Sequence, residues 1–217
     1  MGDNSIFSVI SPIMAGPSSS HTAGAVRLGL MARNIYDKPF SNVKFVLYNS
    51  FALTGFGHGT DKGLLAGVMG YSVDDNRIKN IFTTVSNIAY SYEYQQDISR
   101  HPNSVDIIFD EKFSISGDSI GAGEIRINKI NGFSANINGS YDMLMLSYKD
   151  KPGMVSMVSN ILQENNINIA SMYCDRDAKG GTAVMYFALD IPLKQEFVEK
   201  IKLIDDVFYV SEVRKLK

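Results

Sequence analysis

Ser18, Ser19, Ser20, His21 and Thr22 stand consecutively within the run Ser11-Pro12-Ile13-Met14-Ala15-Gly16-Pro17-Ser18-Ser19-Ser20-His21-Thr22-Ala23-Gly24. His21 is the one group in that run that titrates near neutral pH, which suits a general base removing a proton beside a carboxylate. The stretch from Ala23 to Tyr36 reads as a helix with Ala23, Val26 and Leu30 on one side. The hydroxyls therefore fall where helix caps and anion sites form, and a small carboxylate fits there. On local pattern alone, a serine-rich N-cap with a surface histidine accounts for the run as well. Two further segments carry the remaining histidines. Thr54-Gly55-Phe56-Gly57-His58-Gly59-Thr60-Asp61 follows a strand, Val43–Tyr48, and precedes the apolar helix Leu64–Met69, so it reads as a glycine-rich loop that lets His58, Thr60 and Asp61 meet a ligand. Either Thr60 or Asp61 also serves as an ordinary helix cap. His101-Pro102-Asn103 opens the strand Val105–Phe109 and is equally a Pro-Asn turn. Ser119-Ile120-Gly121-Ala122-Gly123-Glu124 reads as a turn between strands Phe113–Ser116 and Glu124–Ile127, which a hairpin alone explains.

These residues must be positioned by a chain of 217 residues, long enough for two modest cores. Twenty-one basic against 23 acidic side chains leave a net charge of -2 and no basic surface for nucleic acid. No apolar run approaches the roughly 20 residues of a membrane-spanning helix. The N-terminus MGDNSIFSVI has an early Asp and no basic stretch, so a cytoplasmic location is expected. The single cysteine, Cys174, excludes an internal disulfide and cannot alone hold zinc or an iron–sulfur cluster. The glycine runs lack both GxGxxG and a Lys-Ser/Thr ending, so no nucleotide is expected. Asn76–Tyr94, with Ile78, Ile81, Phe82, Val85, Ile88, Ala89 and Tyr92, reads as a packing helix. The first half is expected to be α+β, with a mixed or antiparallel sheet and helices around Ala23–Tyr36, Thr60–Met69 and Asn76–Tyr94.

A polar, turn-rich stretch at 134–141 separates two hydrophobic patterns, and a domain boundary is drawn near Gly139, giving 1–139 and 140–217. Beyond it, Asp142–Tyr148 reads as a strand ending at the turn Asp150-Lys151-Pro152-Gly153. Met154, Met157, Val158, Ile161, Leu162 and Asn165 then follow helical spacing, with Asp150 or Pro152 at the helix start. Strands Ile167–Asp175 and Thr182–Asp190 flank a DAKGG hairpin. Leu193, Phe197, Ile201 and Ile204 mark a second helix, and Val207–Val213 a last strand. The order βαββαβ is that of a ferredoxin-like unit, an antiparallel sheet with two helices on one face.

Asp150-Lys151-Pro152-Gly153 followed by that helix and by Asn166-Ile167-Asn168-Ile169 resembles the ACT domain, a regulatory module on enzymes of amino-acid metabolism. That resemblance implies pairing of two modules, with a free amino acid bound by Asp150, Gly153 and Asn168. The glycine allows close backbone approach, and the helix N-terminus offers N–H donors to a carboxylate. Asp150 as a plain helix cap and Asn168 as a turn terminator remain the simpler alternatives.

The run GPSSSHTAG, with the Gly-His, His-Pro-Asn and Ser-Ile-Gly-Ala-Gly-Glu segments in the same order, resembles the beta region of iron–sulfur-dependent L-serine dehydratases over nearly all of residues 5–130. The resemblance implies a serine-dehydratase beta domain, akin to an allosteric-substrate-binding domain, joined to the ACT domain. It also implies a lyase reaction turning L-serine into pyruvate and ammonia by β-elimination of the hydroxyl. A 4Fe–4S cluster, bound by cysteines of a separate alpha subunit, would supply the Lewis-acid step. In this chain it implies His21 as the base, with Ser18, Ser19, Ser20 and Thr22 holding the carboxylate or orienting the imidazole. His58, Thr60, Asp61, His101 and Asn103 become substrate-binding candidates. The competing classes are a non-catalytic subunit that only senses an amino acid, and a structural interaction module.

Overall fold

The computed structural model describes Met14 and residues 16–216. The N-terminal stretch read above as cytoplasmic, and Ser11, Pro12, Ile13 and Ala15 of the hydroxyl run, lie outside the described residues. The chain forms two compact units, one reaching Gly132 and taking in Asn136–Asn138, the other comprising Phe133–Ala135 and the chain from Gly139 onward.

The first unit is built on a mixed sheet in the order β2-β1-β3-β4-β5-β6. Its strands are β1 (Asn42–Tyr48), β2 (Ala89–Gln95), β3 (Ser104–Phe109), β4 (Phe113–Gly121), β5 (Glu124–Ile130) and the end of β6 (Phe133–Ile137), whose first three residues count with the second unit. β1 runs parallel to β2 and antiparallel to β3. β-branched and aromatic residues alternate along β1 and β3, so Val43, Phe45 and Leu47 pair with Phe109, Ile107 and Val105 on one buried face. Gly117 of β4 shares that face, and a Cβ there would meet Leu28 of helix α1 (Gly24–Tyr36) at 2.8 Å. The other face is polar. Asp106 accepts hydrogen bonds from Tyr48 Oη (2.9 Å), Ser116 Oγ (2.6 Å) and Arg100 Nη1 (2.9 Å).

Helix α2 (Asn49–His58) starts directly from β1, and α3 (Thr60–Val68) follows after Gly59 alone, whose φ of 74° breaks the helical path. This corrects the expected glycine-rich loop: Gly55 and Gly57 lie inside α2, and Gly55 is glycine because Thr60 Cβ comes within 3.1 Å of where its own Cβ would be. The helix expected over Asn76–Tyr94 is likewise corrected. It is a 3₁₀ turn (Asn76–Asn80), a single helical turn α4 (Ile81–Thr84) and then β2. Helical spacing holds only as far as Val85; from Ala89 the tyrosines at 90, 92 and 94 recur every second residue, the period of a strand. The turn expected over Ser119–Glu124 shrinks to Ala122 (φ 51°) and Gly123 (φ 81°), since β4 continues to Gly121 and pairs there with Glu124. Two consecutive left-handed residues are what a tight two-residue hairpin requires.

The second unit consists of β7 (Asp142–Lys149), α5 (Met154–Glu164), β8 (Ile169–Arg176), β9 (Thr182–Leu189), α6 (Gln195–Lys202) and β10 (Val207–Val213). Its sheet is antiparallel in the order β10-β7-β9-β8, the ferredoxin-like arrangement that the sequence pattern predicts. Leu144, Leu146, Met185 and Phe187 from the sheet pack with Val158, Leu162, Phe197 and Ile201 from the helices.

Helices α1 and α3 cross with backbones almost in contact. A Cβ on Gly67 would be driven into the carbonyl of Val26, one on Gly29 into that of Leu64, and one on Gly63 would lie 2.9 Å from the Thr22 carbonyl. Those obstacles are backbone atoms, which cannot swing aside. Gly67→Ala is expected to destabilise the protein by about 3 kcal/mol or more through overpacking. Gly57→Ala, whose Cβ meets nothing within 4 Å, should be neutral or stabilising by about 0.5–1 kcal/mol. Urea midpoints for the two variants measure the contrast, and equal losses would refute the close-crossing account.

Candidate active site

Ser18 is extended, and its Oγ accepts from the backbone N–H of His21 at 3.1 Å. The next five residues, Ser19–Ala23, form a widened π-helical turn rather than an α-helical one. Ala23 N reaches back to Ser18 O (3.3 Å) and Gly24 N to Ser19 O. Two long-range contacts hold this shape. Thr22 Oγ1 donates to the carbonyl of His58 at 2.7 Å, and Ser119 Oγ donates to the carbonyl of Ser20 at 2.8 Å. Gly24 is required beneath it, because a Cβ there would collide with Ser119 Oγ. Such π turns interrupt α-helical regularity and redirect side chains. Here the turn leads into α1, and the N–H groups of Ser19 and Ser20 precede the first intrahelical bond.

His21 is half-buried and meets side chains from α2 on its far side. Its Nε2 lies 3.1 Å from Thr54 Oγ1 and 3.2 Å from Ser50 Oγ, while Nδ1 lies 3.4 Å from Ser18 Oγ. Its ring centre is 5.5 Å from that of Phe51 and 5.2 Å from that of His58. His58 is exposed, and its Nδ1 faces the Thr54 carbonyl at 3.0 Å. A carbonyl only accepts, so that nitrogen carries the proton and neutral His58 keeps its lone pair on Nε2. Burial, and secondarily the charge on His58, hold His21 below the ordinary histidine value of 6.5. His21 is thereby kept as the neutral, proton-accepting imidazole at neutral pH.

The remaining candidates fall around and beneath His21. Thr22 is buried with its hydroxyl donating to His58 O, so it braces the site from beneath. Thr60 is fully buried at the start of α3. Asp61 is buried as well: Oδ1 accepts from Lys62 N (2.8 Å), its carbonyl accepts from Tyr92 Oη (2.8 Å), and burial raises its pKa. His101 is exposed, with Nδ1 accepting from Asn103 N at 3.1 Å. Asn103 O accepts from Ser119 N (2.9 Å), and Pro102 O accepts from the N–H groups of Ser50 (2.8 Å) and Phe51 (3.3 Å). The His101–Asn103 segment therefore buttresses both the π turn and the start of α2. Ser50, Phe51 and Thr54 are the site residues that the sequence reading missed. Ser50, Thr54 and His58 recur every fourth residue, a stripe along one helix face that is invisible when the segment is read as a loop.

In the second unit, Asp150 Oδ2 accepts from Gly180 N (2.9 Å) and Arg176 Nη1 (2.8 Å), and these contacts lower its pKa. Gly153 caps α5 in the left-handed region at φ 93°. Asn168 donates to Asp190 Oδ2 at 2.7 Å, at the opposite end of the sheet from Asp150, so a single chain does not bring the two together. Among the described residues, no group of three or more His, Cys, Asp or Glu could hold a metal ion, and Cys174 is an exposed free thiol beside Tyr148. The side chains described do not fit a cluster as ligands.

Residues 5–125 match the family described as Serine dehydratase beta chain. The L-serine dehydratase beta chain of Peptoniphilus asaccharolyticus is 36% identical over 93% of this chain and 94% of its own length. The probable L-serine dehydratase beta chain of Bacillus subtilis is 32% identical over 96% and 97% respectively. Among solved structures, the ACT domain of a Chlorobium tepidum GTP pyrophosphokinase covers 33% of this chain and 95% of its own, at 17% identity and a TM-score of 0.28. A match over more than half of the chain, with the His21 turn and the His58 helix inside it, together with two relatives aligned nearly end to end, places the chain in the serine dehydratase beta-chain family.

Proposed function

We propose that this chain contributes the proton-abstracting half of an L-serine dehydratase, in a complex that converts L-serine to pyruvate and ammonia. A separate alpha subunit would hold the 4Fe–4S cluster with its own cysteines. The observation that carries the reading is His21, held below the ordinary histidine pKa among three hydroxyls and only half-buried. The substrate carboxylate would sit at the N-terminus of the π turn, where the N–H groups and hydroxyls of Ser19 and Ser20 and the α1 dipole favour an anion. His21 then takes the Cα proton, while His58, its Nδ1 proton engaged by Thr54 O, turns the Nε2 lone pair toward the substrate ammonium. His101 and Asn103 act indirectly, through Ser119 and α2.

Regulation by a free amino acid at paired second units belongs to the same proposal. It is supported by Gly153, where nothing lies within 4 Å of a Cβ position, at the open N-terminus of α5. Calorimetric titration of free amino acids into the full chain checks this, and flat titrations throughout would remove the regulatory reading.

The central test is anaerobic pyruvate formation after co-expression with the cluster-bearing subunit. Turnover should need both chains, and His21→Ala should lower kcat by roughly 10²–10⁴-fold with the complex intact. Full turnover by the partner alone, or a variant that alters only the serine dependence, would leave this chain as a regulator. The pH profile supplies a second check. Neutral His21 is the active form, so activity is present above its lowered pKa and is lost as pH falls through it. His58→Gln removes the neighbouring charge, and the acidic limb should move to higher pH. No movement, or movement downward, would contradict the coupling of the two imidazoles.

A further inference from the structure

The geometry points to Thr54 as a positioning residue that fixes which nitrogen of His21 carries the proton, leaving the lone pair on Nδ1 to receive the substrate proton. This rests on the reading of His21 as the base. The argument is one of donors and acceptors. Thr54 Oγ1 donates its only hydrogen to the Ser50 carbonyl at 2.8 Å, one turn back along α2. Its oxygen therefore faces His21 Nε2, 3.1 Å away, with a lone pair, and is satisfied only if Nε2 carries the hydrogen. In the opposite tautomer either two lone pairs oppose each other across that gap or Thr54 gives up its bond to the Ser50 carbonyl. The Ser50 hydroxyl, 3.2 Å from the same nitrogen, retains a hydrogen and both lone pairs, so it fits either form and decides nothing. On the other side of the ring, Ser18 Oγ already accepts from His21 N and lies 3.4 Å from Nδ1, long for an O–H···N bond. That weak partner yields Nδ1 to the substrate.

In the reaction, the Cα proton passes to Nδ1 and the C–H electron pair enters the Cα–Cβ bond as the hydroxyl departs as hydroxide with the C–O pair, to be taken up by the Lewis acid that the partner subunit would supply. The imidazolium keeps its Nε2–H on Thr54. Neither an oxidant nor a reductant is needed. Thr54 thus plays the orienting part that a carboxylate plays beside other catalytic histidines, but without adding charge.

The test is nitrogen-15 NMR of the full chain labelled at histidine, where only three imidazoles contribute and His21→Gln assigns the signal. Above its pKa, native His21 should show a protonated Nε2 and an unprotonated Nδ1. Thr54→Val should move the population toward the Nδ1-protonated form, and Thr54→Ser should restore the native pattern. In the assembled complex, Thr54→Val should lower kcat about fivefold with little change in KM, the factor that one net hydrogen bond supplies. A native ring protonated on Nδ1, or a tautomer indifferent to Thr54→Val, would overturn the proposal. Failure of the base reading shows separately, as turnover that survives His21→Gln while the tautomer still responds to Thr54.

Discussion

Everything in the first unit depends on how closely α1 and α3 approach. At Gly29, Gly63 and Gly67 the two backbones touch with no side chain between them, so their separation is set by atoms that have no rotamer to change. That crossing fixes where α1 begins and where α3 begins, and the reacting groups lie at those two starts. The π turn bearing His21 enters α1, and Gly59, immediately after His58, enters α3. The hydrogen bond from Thr22 to the His58 carbonyl then ties one start to the other. A crossing wider by a single methyl group would separate the imidazoles by a comparable distance, enough to break contacts of about 3 Å.

The second unit was readable from its sequence because helix and strand periods there are clean. Val207–Val213 emerges with the bounds expected, and Thr182–Leu189 falls one residue short of its expected end. In the first unit the pattern misleads at two places. Ile78, Ile81, Phe82 and Val85 keep helical spacing up to the point where the chain turns into β2, and at an edge strand only alternation distinguishes the two states. In α2, Gly55 and Gly57, with Gly59 directly after the helix, argue for a loop, each glycine inside a helix disfavouring it by roughly 1 kcal/mol relative to alanine. The packing of Gly55 against Thr60 overrides that preference. Reading α2 as a loop hid Ser50 and Thr54. The π turn was beyond sequence reading for another reason: its shape is imposed by Ser119 and the His58 carbonyl, 99 and 36 residues from their partners.

Polarity in the site is arranged with few ionic groups. The nearest neighbours of His21 are hydroxyls and an aromatic ring, and its closest titratable neighbour is a second imidazole. Both rings cannot be charged cheaply at 5.2 Å, so the pair favours a neutral base without a carboxylate to anchor it. Asp61, the acid nearest in sequence to His58, is instead buried with Tyr92. A carboxylate beside His21 would raise its pKa and reduce the neutral fraction at physiological pH.

Helix α2 is gripped at both ends, by the Pro102 carbonyl at Ser50 and Phe51 and by the Thr22 hydroxyl at His58. Between those grips the helix acts as a ruler. Adding or removing one residue between Ser50 and His58 would rotate everything beyond it by about 100°, turning His58 away from His21. The two grips would then pull against a helix of the wrong phase. Substitutions along the solvent side of α2, such as at the exposed Leu53, leave that phase untouched. The site is therefore sensitive to the length of α2 but indifferent to what stands on its solvent side.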